Sequence, residues 1–413
     1  MDYASSLAYL YSLQLFGVKL GLENTRQLLE RVGNPQQSLK VVHIAGTNGK
    51  GSTAAALEQL LRAHDLRTGL YTSPHLYRFN ERIRIDNQPV TDDDIHRFVE
   101  VLRAVVRELP VTFFEFTTVL ALLLFAEYQV DTLVLETGLG GRFDATNLVD
   151  PVLSVITPID VDHSAQLGTT LAQIAFEKGG IVKPSVPLIC AFQPPEVQEV
   201  LAGICQSMAS PLWQAGVDFS WTMPPHKFSY RGFELQFTEL ETGLAGAFQR
   251  QNLSLALAAA EKILPRETLD PRRVRRALAE VRWPGRLEWC GDILFDGAHN
   301  PHGAQALAEY LQSCDLNELL WVVAVKADKD VAALMAPVLP RVSLVLATSL
   351  PDEKSYQPAM LVQLAQQAGV AAEVCKSPAA ALQRALGLAR PGQKILVAGS
   401  LFLVAALRPP GAQ

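Results

Sequence analysis

A chain of 413 residues with 49% hydrophobic and 19% charged side chains has more apolar surface than one ordinary core buries, so two domains are expected, with three as the alternative, and a disordered chain is excluded. The charges nearly balance, with 36 Lys and Arg against 42 Asp and Glu for a net charge of -6. That excludes a general nucleic-acid binder and confines any anion site to a local patch. The five cysteines (Cys190, Cys205, Cys290, Cys314, Cys375) are scattered with no C-x-x-C spacing, so neither a disulfide framework nor a zinc site is expected. No basic leader with a cleavage site and no apolar run of about 20 residues is found, which points to a cytoplasmic protein.

Residues 3 to 16 read as an amphipathic helix, and 25 to 32 as a second. Leu39 to Ala45 is a short apolar run suited to one buried strand; Gly46, Gly49 and Gly51 interrupt it, and a helical pattern runs from Ser52 to about 64. A glycine-rich turn between a strand and a helix N-terminus aims several backbone N–H groups at one spot, where the helix dipole adds positive potential. Phosphate suits that spot. Lys50 adds a cation for the outer phosphates, and the Ser52 hydroxyl can face phosphate or Mg²⁺. The spacing departs from G-x-x-x-x-G-K-[ST], because position 44 is Ile and Gly51 separates Lys50 from Ser52. On this signal alone an ordinary strand-to-helix turn stays open.

A second short strand spans 68 to 72, and SPHLYRFNERIRID after it reads as a loop entering a short strand. Thr91 caps a helix to about 108. FFEFTTVLALLLFAEY (113 to 128) is a strongly apolar helix, and 130 to 136 is a buried strand ending on Glu136. Strands at 152 to 157 and 186 to 190 flank a helix at 170 to 178. This alternation predicts an α/β fold with a largely parallel sheet and helices on both faces. Between 211 and 245, short alternating runs predict a small antiparallel sheet at one edge. Helices at 250 to 263 and 271 to 281 precede WPGR (283 to 286), where Pro-Gly sets the expected boundary between domains 1–284 and 285–413. Beyond it, strands at 287 to 296, 319 to 325, 342 to 347 and 394 to 398 alternate with helices, the first of them at 302 to 313. They predict a second, smaller α/β domain.

Strand ends carry the candidate chemistry. Glu136 would emerge at the carboxyl edge of the sheet beside the glycine-rich loop, where a Mg²⁺ carboxylate belongs, although a helix cap is the bland alternative. His163, after Asp160 and Asp162, ends another strand and is either structural or a ligand. Ser73 before Pro74 is a common turn pair. Lys178 sits near a helix end, where the dipole favours a cation. In DGAHNP (296 to 301), Asp296, His299 and Asn300 follow a strand and Pro301 opens a helix, which fits either a catalytic loop or a capping turn. Arg286 is either a surface charge or a linker cation that reaches phosphate.

In order, GLE (21 to 23), GNPQ (33 to 36), GTNGKGS (46 to 52), TSPHL (72 to 76), FNERI (79 to 83), ETGLGGRFDATN (136 to 147), DH (162 to 163), IAFEKGGI (174 to 181), PGR (284 to 286), DGAHNP, DKD (328 to 330) and VAGSLFLV (397 to 404) span nearly the whole chain. Together they resemble the bifunctional dihydrofolate synthase/folylpolyglutamate synthase family of the Mur ligase superfamily. The resemblance implies an N-terminal P-loop ATPase domain and a C-terminal Rossmann-like glutamate-ligase domain. It implies ATP phosphates held by Gly49, Lys50, Gly51 and Ser52, with Asn252, Arg286 and Asp296 as further ATP contacts. Two Mg²⁺ ions are implied, one on Ser73 and Glu136 and one on Glu136 and His163, with Lys178 carbamylated. The implied pterin site takes in Val18, Lys19, Leu20, Thr112, Phe113, Phe114, Glu115, Phe143, Asp144 and Ala145. The implied catalytic set is Lys50, Glu136, His163, Lys178, Arg286, Asp296 and His299. Lys354 stands where an Arg is frequent, and Lys cannot reproduce a bidentate Arg fork. Gly179 replaces a usual Ala, a small change in packing.

The implied reaction joins the amino group of L-glutamate to a carboxylate of dihydropteroate or a reduced folate through an acyl phosphate, with ATP becoming ADP and phosphate. Closure of the second domain onto the first is the expected way to exclude water. The expected partners are these small molecules, with no nucleic acid and no membrane, acting on a monomer; a monovalent cation is an open addition to the cofactors. Two rivals remain at this stage. A Mur-type cell-wall ligase is disfavoured because the 45 residues before Gly46 are too few for a UDP-sugar domain. A P-loop nucleotide switch with no ligase step is disfavoured by DGAHNP and the Lys178 segment.

Overall fold

The computed structural model describes residues 2–16, 21–222, 227–351 and 354–409. The chain divides into two compact units: Met1–Val161, Leu167–Gly243 and Arg250–Val281 form the first, and Asp162–Gln166, Leu244–Gln249 and Arg282–Gln413 the second. Two short segments that precede Arg282 in the sequence, Asp162–Gln166 and Leu244–Gln249, therefore go with the second unit. Among the described residues no helix is long and apolar enough to cross a membrane.

The first unit is built on β1 (Val41–Ala45), β2 (Thr68–Tyr71), β3 (Ile83–Ile85), β4 (Gln88–Pro89), β5 (Thr132–Glu136), β6 (Pro151–Ile156), β7 (Leu188–Cys190) and β8 (Leu212–Gln214). Their order is β4-β3-β2-β5-β1-β6-β7-β8, parallel throughout except for β3 and β4, which turn back at one edge. β1 is central, with Ile44 paired to Glu136 on one side and to Val155 on the other. All five residues of β1 and of β5 are buried, as a parallel sheet covered on both faces requires.

The apolar helix Phe113–Glu127 shares one hydrophobic cluster with helices Tyr3–Ser12, Glu23–Arg31 and Asp92–Val106. Thr91, Thr112 and Thr170 each open a helix with a capping box, which satisfies two orphan N–H groups at once. A second cluster joins Ile174 and Ala175 to Val197, Leu201 and Cys205 of the helix Pro195–Ser207. The sequence reading leaves that last helix out, although its i, i+4, i+8 apolar spacing and Pro195 in the first turn are local signals for it. The expected antiparallel element is a separate sheet of β9 (Ser220–Thr222), β10 (Phe228–Arg231) and β11 (Gln236–Leu240), while β8 joins the main sheet beside β7.

The second unit has β12 (Glu288–Cys290), β13 (Ile293–Asp296), β14 (Leu319–Val323), β15 (Val342–Ala347), β16 (Ala371–Val374) and β17 (Ile395–Ala398), in the order β12-β13-β17-β14-β15-β16. Only β12 is antiparallel. The single strand expected over 287 to 296 is a hairpin that reverses at Gly291, where φ is +61°. β16 escapes the sequence reading because AAEV at a half-exposed edge has no apolar run.

Candidate active site

The glycine-rich loop connects β1 to the helix Lys50–Arg62, which starts two residues earlier than its pattern suggests, with Gly49 at the N-cap and φ +89°. Two glycines are required by what lies against them. A Cβ on Gly46 would sit 1.9 Å from Thr157 Oγ1, and one on Gly49 would sit 2.3 Å from Asn252 Oδ1. Asn252 thus lies against the loop it is expected to help. The loop is pinned from the next strand: the Thr47 N–H donates to the Pro158 carbonyl (2.9 Å), and Thr47 Oγ1 both donates to the Asp160 carbonyl (2.9 Å) and accepts from the Asp160 N–H (3.0 Å). Lys50 Nζ folds back to the carbonyls of Gly46 and Thr47, both at 3.1 Å. Lys178 Nζ, buried, donates to the Gly46 carbonyl at 2.8 Å. Ser52 is buried at the start of the helix.

Glu136 ends β5 level with Ile44, and its Oε2 accepts the Ser73 N–H at 3.2 Å. Ser73 and Glu136 therefore meet, close to the glycine-rich loop. Among the described residues no group of three or more His, Cys, Asp and Glu could hold a metal ion. One carboxylate with neighbouring hydroxyls is nonetheless a fitting donor set for Mg²⁺, which keeps several waters and shares its shell with nucleotide phosphates. Arg82 is a neighbour that the sequence reading does not single out. It is buried, its Nε donates to His75 Nδ1 at 2.8 Å, and its guanidinium lies 5.2 Å from the Phe113 ring centre. Burial lowers its pKa, against the pull of Tyr71, Tyr11 and Glu136. No local pattern distinguishes Arg82 from Arg78 and Arg84; only packing does.

The expected pterin residues divide into aromatic rings, of which Phe113 is buried, Phe114 half-buried and Phe143 exposed, and internal braces. Phe113 stacks on Tyr11 with ring centres 5.9 Å apart, Phe114 lies across Gly138, and Phe143 is 43% exposed. Thr112 and Glu115 are occupied with each other as the capping box, and Glu115 also accepts from Thr25 Oγ1 at 3.3 Å. Asp144 is buried and accepts from the N–H groups of Gly138 (2.9 Å), Leu139 (2.7 Å) and Thr146 (3.0 Å) and from Thr146 Oγ1 (2.5 Å). Its carboxylate shapes the loop, and Ala145 beside it is buried. Val18, Lys19 and Leu20 lie outside the described residues.

The remaining candidates belong to the second unit. Asp296, buried at the end of β13, accepts the N–H groups of Leu287 (2.9 Å) and Ala298 (2.8 Å). Burial raises its pKa while Arg286 opposes the shift. Arg286 lies across Gly297, where a Cβ would come within 2.1 Å of Nη1. His299 Nδ1 pairs with the Gly297 carbonyl at 2.8 Å, and desolvation lowers its pKa to about 4. Asn300 caps the helix Pro301–Ser313, so the capping reading of DGAHNP holds for this residue. His163 takes φ +52°, and its N–H donates to Asp162 Oδ1 at 2.8 Å. Asp162 also receives Lys329 Nζ at 2.5 Å and Asn300 Nδ2 at 2.9 Å. The DH, DKD and DGAHNP motifs thus converge on one carboxylate.

Residues 44–260 match the Mur ligase middle domain, and residues 285–401 match the Mur ligase glutamate ligase domain. The chain belongs to the Mur ligase family. This Mur ligase is 35% identical to a folylpolyglutamate synthase of Lacticaseibacillus casei, over 99% of this chain and 98% of that one. It is 37% identical to a dihydrofolate synthase/folylpolyglutamate synthase of Bacillus subtilis, over 78% and 79% of the two chains. Its structure superposes on E. coli FolC in complex with DHPP and ADP with a TM-score of 0.90 at 30% identity, covering 98% of this chain and 96% of that one. The folylpolyglutamate synthase of Mycobacterium tuberculosis complexed with ADP and AMPPCP gives 0.91 at 31% identity, covering 98% of each. As a Mur ligase the chain is an ATP-dependent ligase, and the expected α/β architecture with its small antiparallel sheet is the observed one.

Proposed function

We propose that this Mur ligase adds L-glutamate to dihydropteroate, to the γ-carboxylate of a reduced folate, or to both. The observation that carries the proposal is the junction of the GTNGKGS loop with Glu136 at adjoining strand ends, in a chain alike over its length to dihydrofolate and folylpolyglutamate synthases. A carboxylate is a poor electrophile. Phosphoryl transfer from ATP makes it an acyl phosphate, which the glutamate amine attacks with loss of phosphate.

Gly49, Lys50, Gly51 and Ser52 would bind the nucleotide phosphates, with Asn252 holding the loop at Gly49. Ser73 and Glu136 would hold Mg²⁺, which when bound offsets phosphate charge. A carbamate on Lys178 would turn a cation into an oxygen ligand, and Glu136 and His163 would hold a second ion. Phe113, Phe114 and Phe143 would stack on the pterin, and buried Arg82 would favour its carboxylate end. In the second unit Arg286 and Asp296 would contact ATP, and His299, neutral at physiological pH, would act as an uncharged donor or acceptor. Residues 1–284 would serve as the ATP-binding domain and 285–413 as the glutamate-ligase domain. A cytoplasmic monomer acting on ATP, L-glutamate and the pterin alone completes the proposal, with a monovalent cation as a further candidate cofactor.

The test is incubation of the purified chain with ATP, Mg²⁺ and labelled glutamate, offering dihydropteroate and tetrahydrofolate separately. Label should enter at least one of them with stoichiometric phosphate release. Phosphate release without label in either product would overturn the proposal.

A further inference from the structure

His43 is the middle residue of β1, fully buried, three positions before Gly46. Among the described residues its side chain has one hydrogen-bond partner: Nε2 lies 2.8 Å from Thr146 Oγ1, while Nδ1 has none. Thr146 Oγ1 lies in turn 2.5 Å from Asp144 Oδ1. The direction of this chain follows from proton counting. Asp144 accepts three backbone N–H groups, donors that cannot reverse and that suit a carboxylate which only accepts, against the burial that raises its pKa. Thr146 has a single hydroxyl proton and gives it to Asp144, so its oxygen must accept from His43 Nε2–H. Nδ1 is then a bare lone pair, and a buried lone pair without a partner is tolerated better than a buried N–H without one. Burial disfavours the imidazolium, so the ring is neutral, as the assignment requires.

We infer that His43 is a positioning residue: through Thr146 it fixes Asp144, and through Asp144 it sets the loop from Gly138 to Ala145 that presents Phe143. The inference rests on the reading of Phe143–Ala145 as part of the pterin site. Asp144 ties the start of this loop (Gly138, Leu139) to its end (Thr146), and His43 anchors that tie to the central strand. The phosphate loop follows on the same strand yet takes no hydrogen bond from this imidazole. A positioning role therefore acts on the pterin and leaves ATP alone.

The test is steady-state kinetics of the full chain with whichever pterin substrate is used, on His43→Leu, His43→Gln, Thr146→Val, Thr146→Ser and Phe143→Ala. Removing a buried hydrogen bond in this chain should raise the KM for the pterin about tenfold in His43→Leu and in Thr146→Val, with the KM for ATP unchanged. His43→Gln, which keeps an Nε2–H, and Thr146→Ser, which keeps the hydroxyl, should stay near wild type. The double variant His43→Leu/Thr146→Val should be no worse than either single one, because both break the same chain. If His43→Leu does not fold, the Thr146 pair decides alone. An unmoved pterin KM, or an equal rise in the KM for ATP, overturns the inference. Phe143→Ala separates it from the reading beneath it: if Phe143→Ala raises the pterin KM and His43→Leu does not, the inference alone falls, and if neither does, the loop is not the pterin site and both fall. Nitrogen NMR of the imidazole gives an independent readout, in which the Nε2–H tautomer is required and Nδ1–H is disqualifying.

Discussion

Lys50 and Lys178 donate to the same acceptor. Their ammonium groups lie 3.1 and 2.8 Å from the Gly46 carbonyl oxygen, one from the helix that leaves the glycine-rich loop and the other from the end of the helix Leu171–Lys178. Two cations on one carbonyl repel each other, and either a bound anion or conversion of Lys178 to a carbamate relieves the repulsion. Lys50→Met should lower kcat/KM by about a hundredfold or more, read as glutamate-dependent phosphate release. With ¹³C-bicarbonate the wild type should show a carbamate resonance that Lys178→Gln lacks. A wild-type spectrum without it would leave Lys178 an ordinary ammonium.

Glu136→Gln keeps an oxygen for the Ser73 N–H and removes the charge that would hold Mg²⁺. Activity should fall by about a hundredfold or more while the melting temperature stays near wild type. Chelation of the wild type should abolish turnover, and added Mg²⁺ should restore it. Amide synthesis by Glu136→Gln at full speed would remove Glu136 from the chemistry.

Asp162 and Lys329 form an ion pair whose side chains are 8% and 7% exposed. Burial pushes the Asp162 carboxyl up, but His163, Lys329 and His299 outweigh it and hold the group well below the usual carboxylate range. Lys329→Met leaves that carboxylate buried with its hydrogen-bonded lysine counter-ion gone, which should cost about 3–5 kcal/mol in urea denaturation. The double variant Asp162→Asn/Lys329→Met should recover most of the loss, because it removes the orphaned charge as well. Additive losses would mean that the pair is not coupled.

His43 also predicts a pH dependence of stability. Its pKa falls from 6.5 to about 3 because burial disfavours the cation. Between those values the unfolded chain binds a proton that the folded chain does not, so the stability due to neutral His43 is complete above pH 6.5 and is lost as pH falls toward 3. The limiting slope is about 1.4 kcal/mol per pH unit for one such group. Denaturation midpoints from pH 7 down to pH 4.5 should fall less steeply for His43→Gln than for wild type. Parallel curves would show that His43 titrates normally.

Much of the candidate site was legible because the signals are local. Three glycines with a lysine between an apolar strand and a helix, a carboxylate ending a buried strand, and Asp-Gly-Ala-His-Asn-Pro after another are all patterns within a few residues. The helix at 195–207 carried such signals as well. What escaped the sequence depended on burial or on distant pairing. Arg82 differs from its neighbouring arginines only in what packs around it, and Thr112, Glu115 and Asp144 sit in the expected pterin segments yet spend their polar atoms bracing the backbone.

By itself the sequence determined the alternation of strands and helices, the glycine-rich turn after β1, and the residue types at strand ends, since periodicity, glycine φ freedom and side-chain chemistry are properties of short stretches. Only the tertiary structure decided that Lys178 reaches a carbonyl 132 positions away, that His43 meets Thr146 across 103, and that Asp162 receives Lys329 across 167. Those meetings follow from strand order and register: β5 and β6 flank β1 although a long stretch of chain separates β1 from both, and no pattern within one strand says which others will lie beside it.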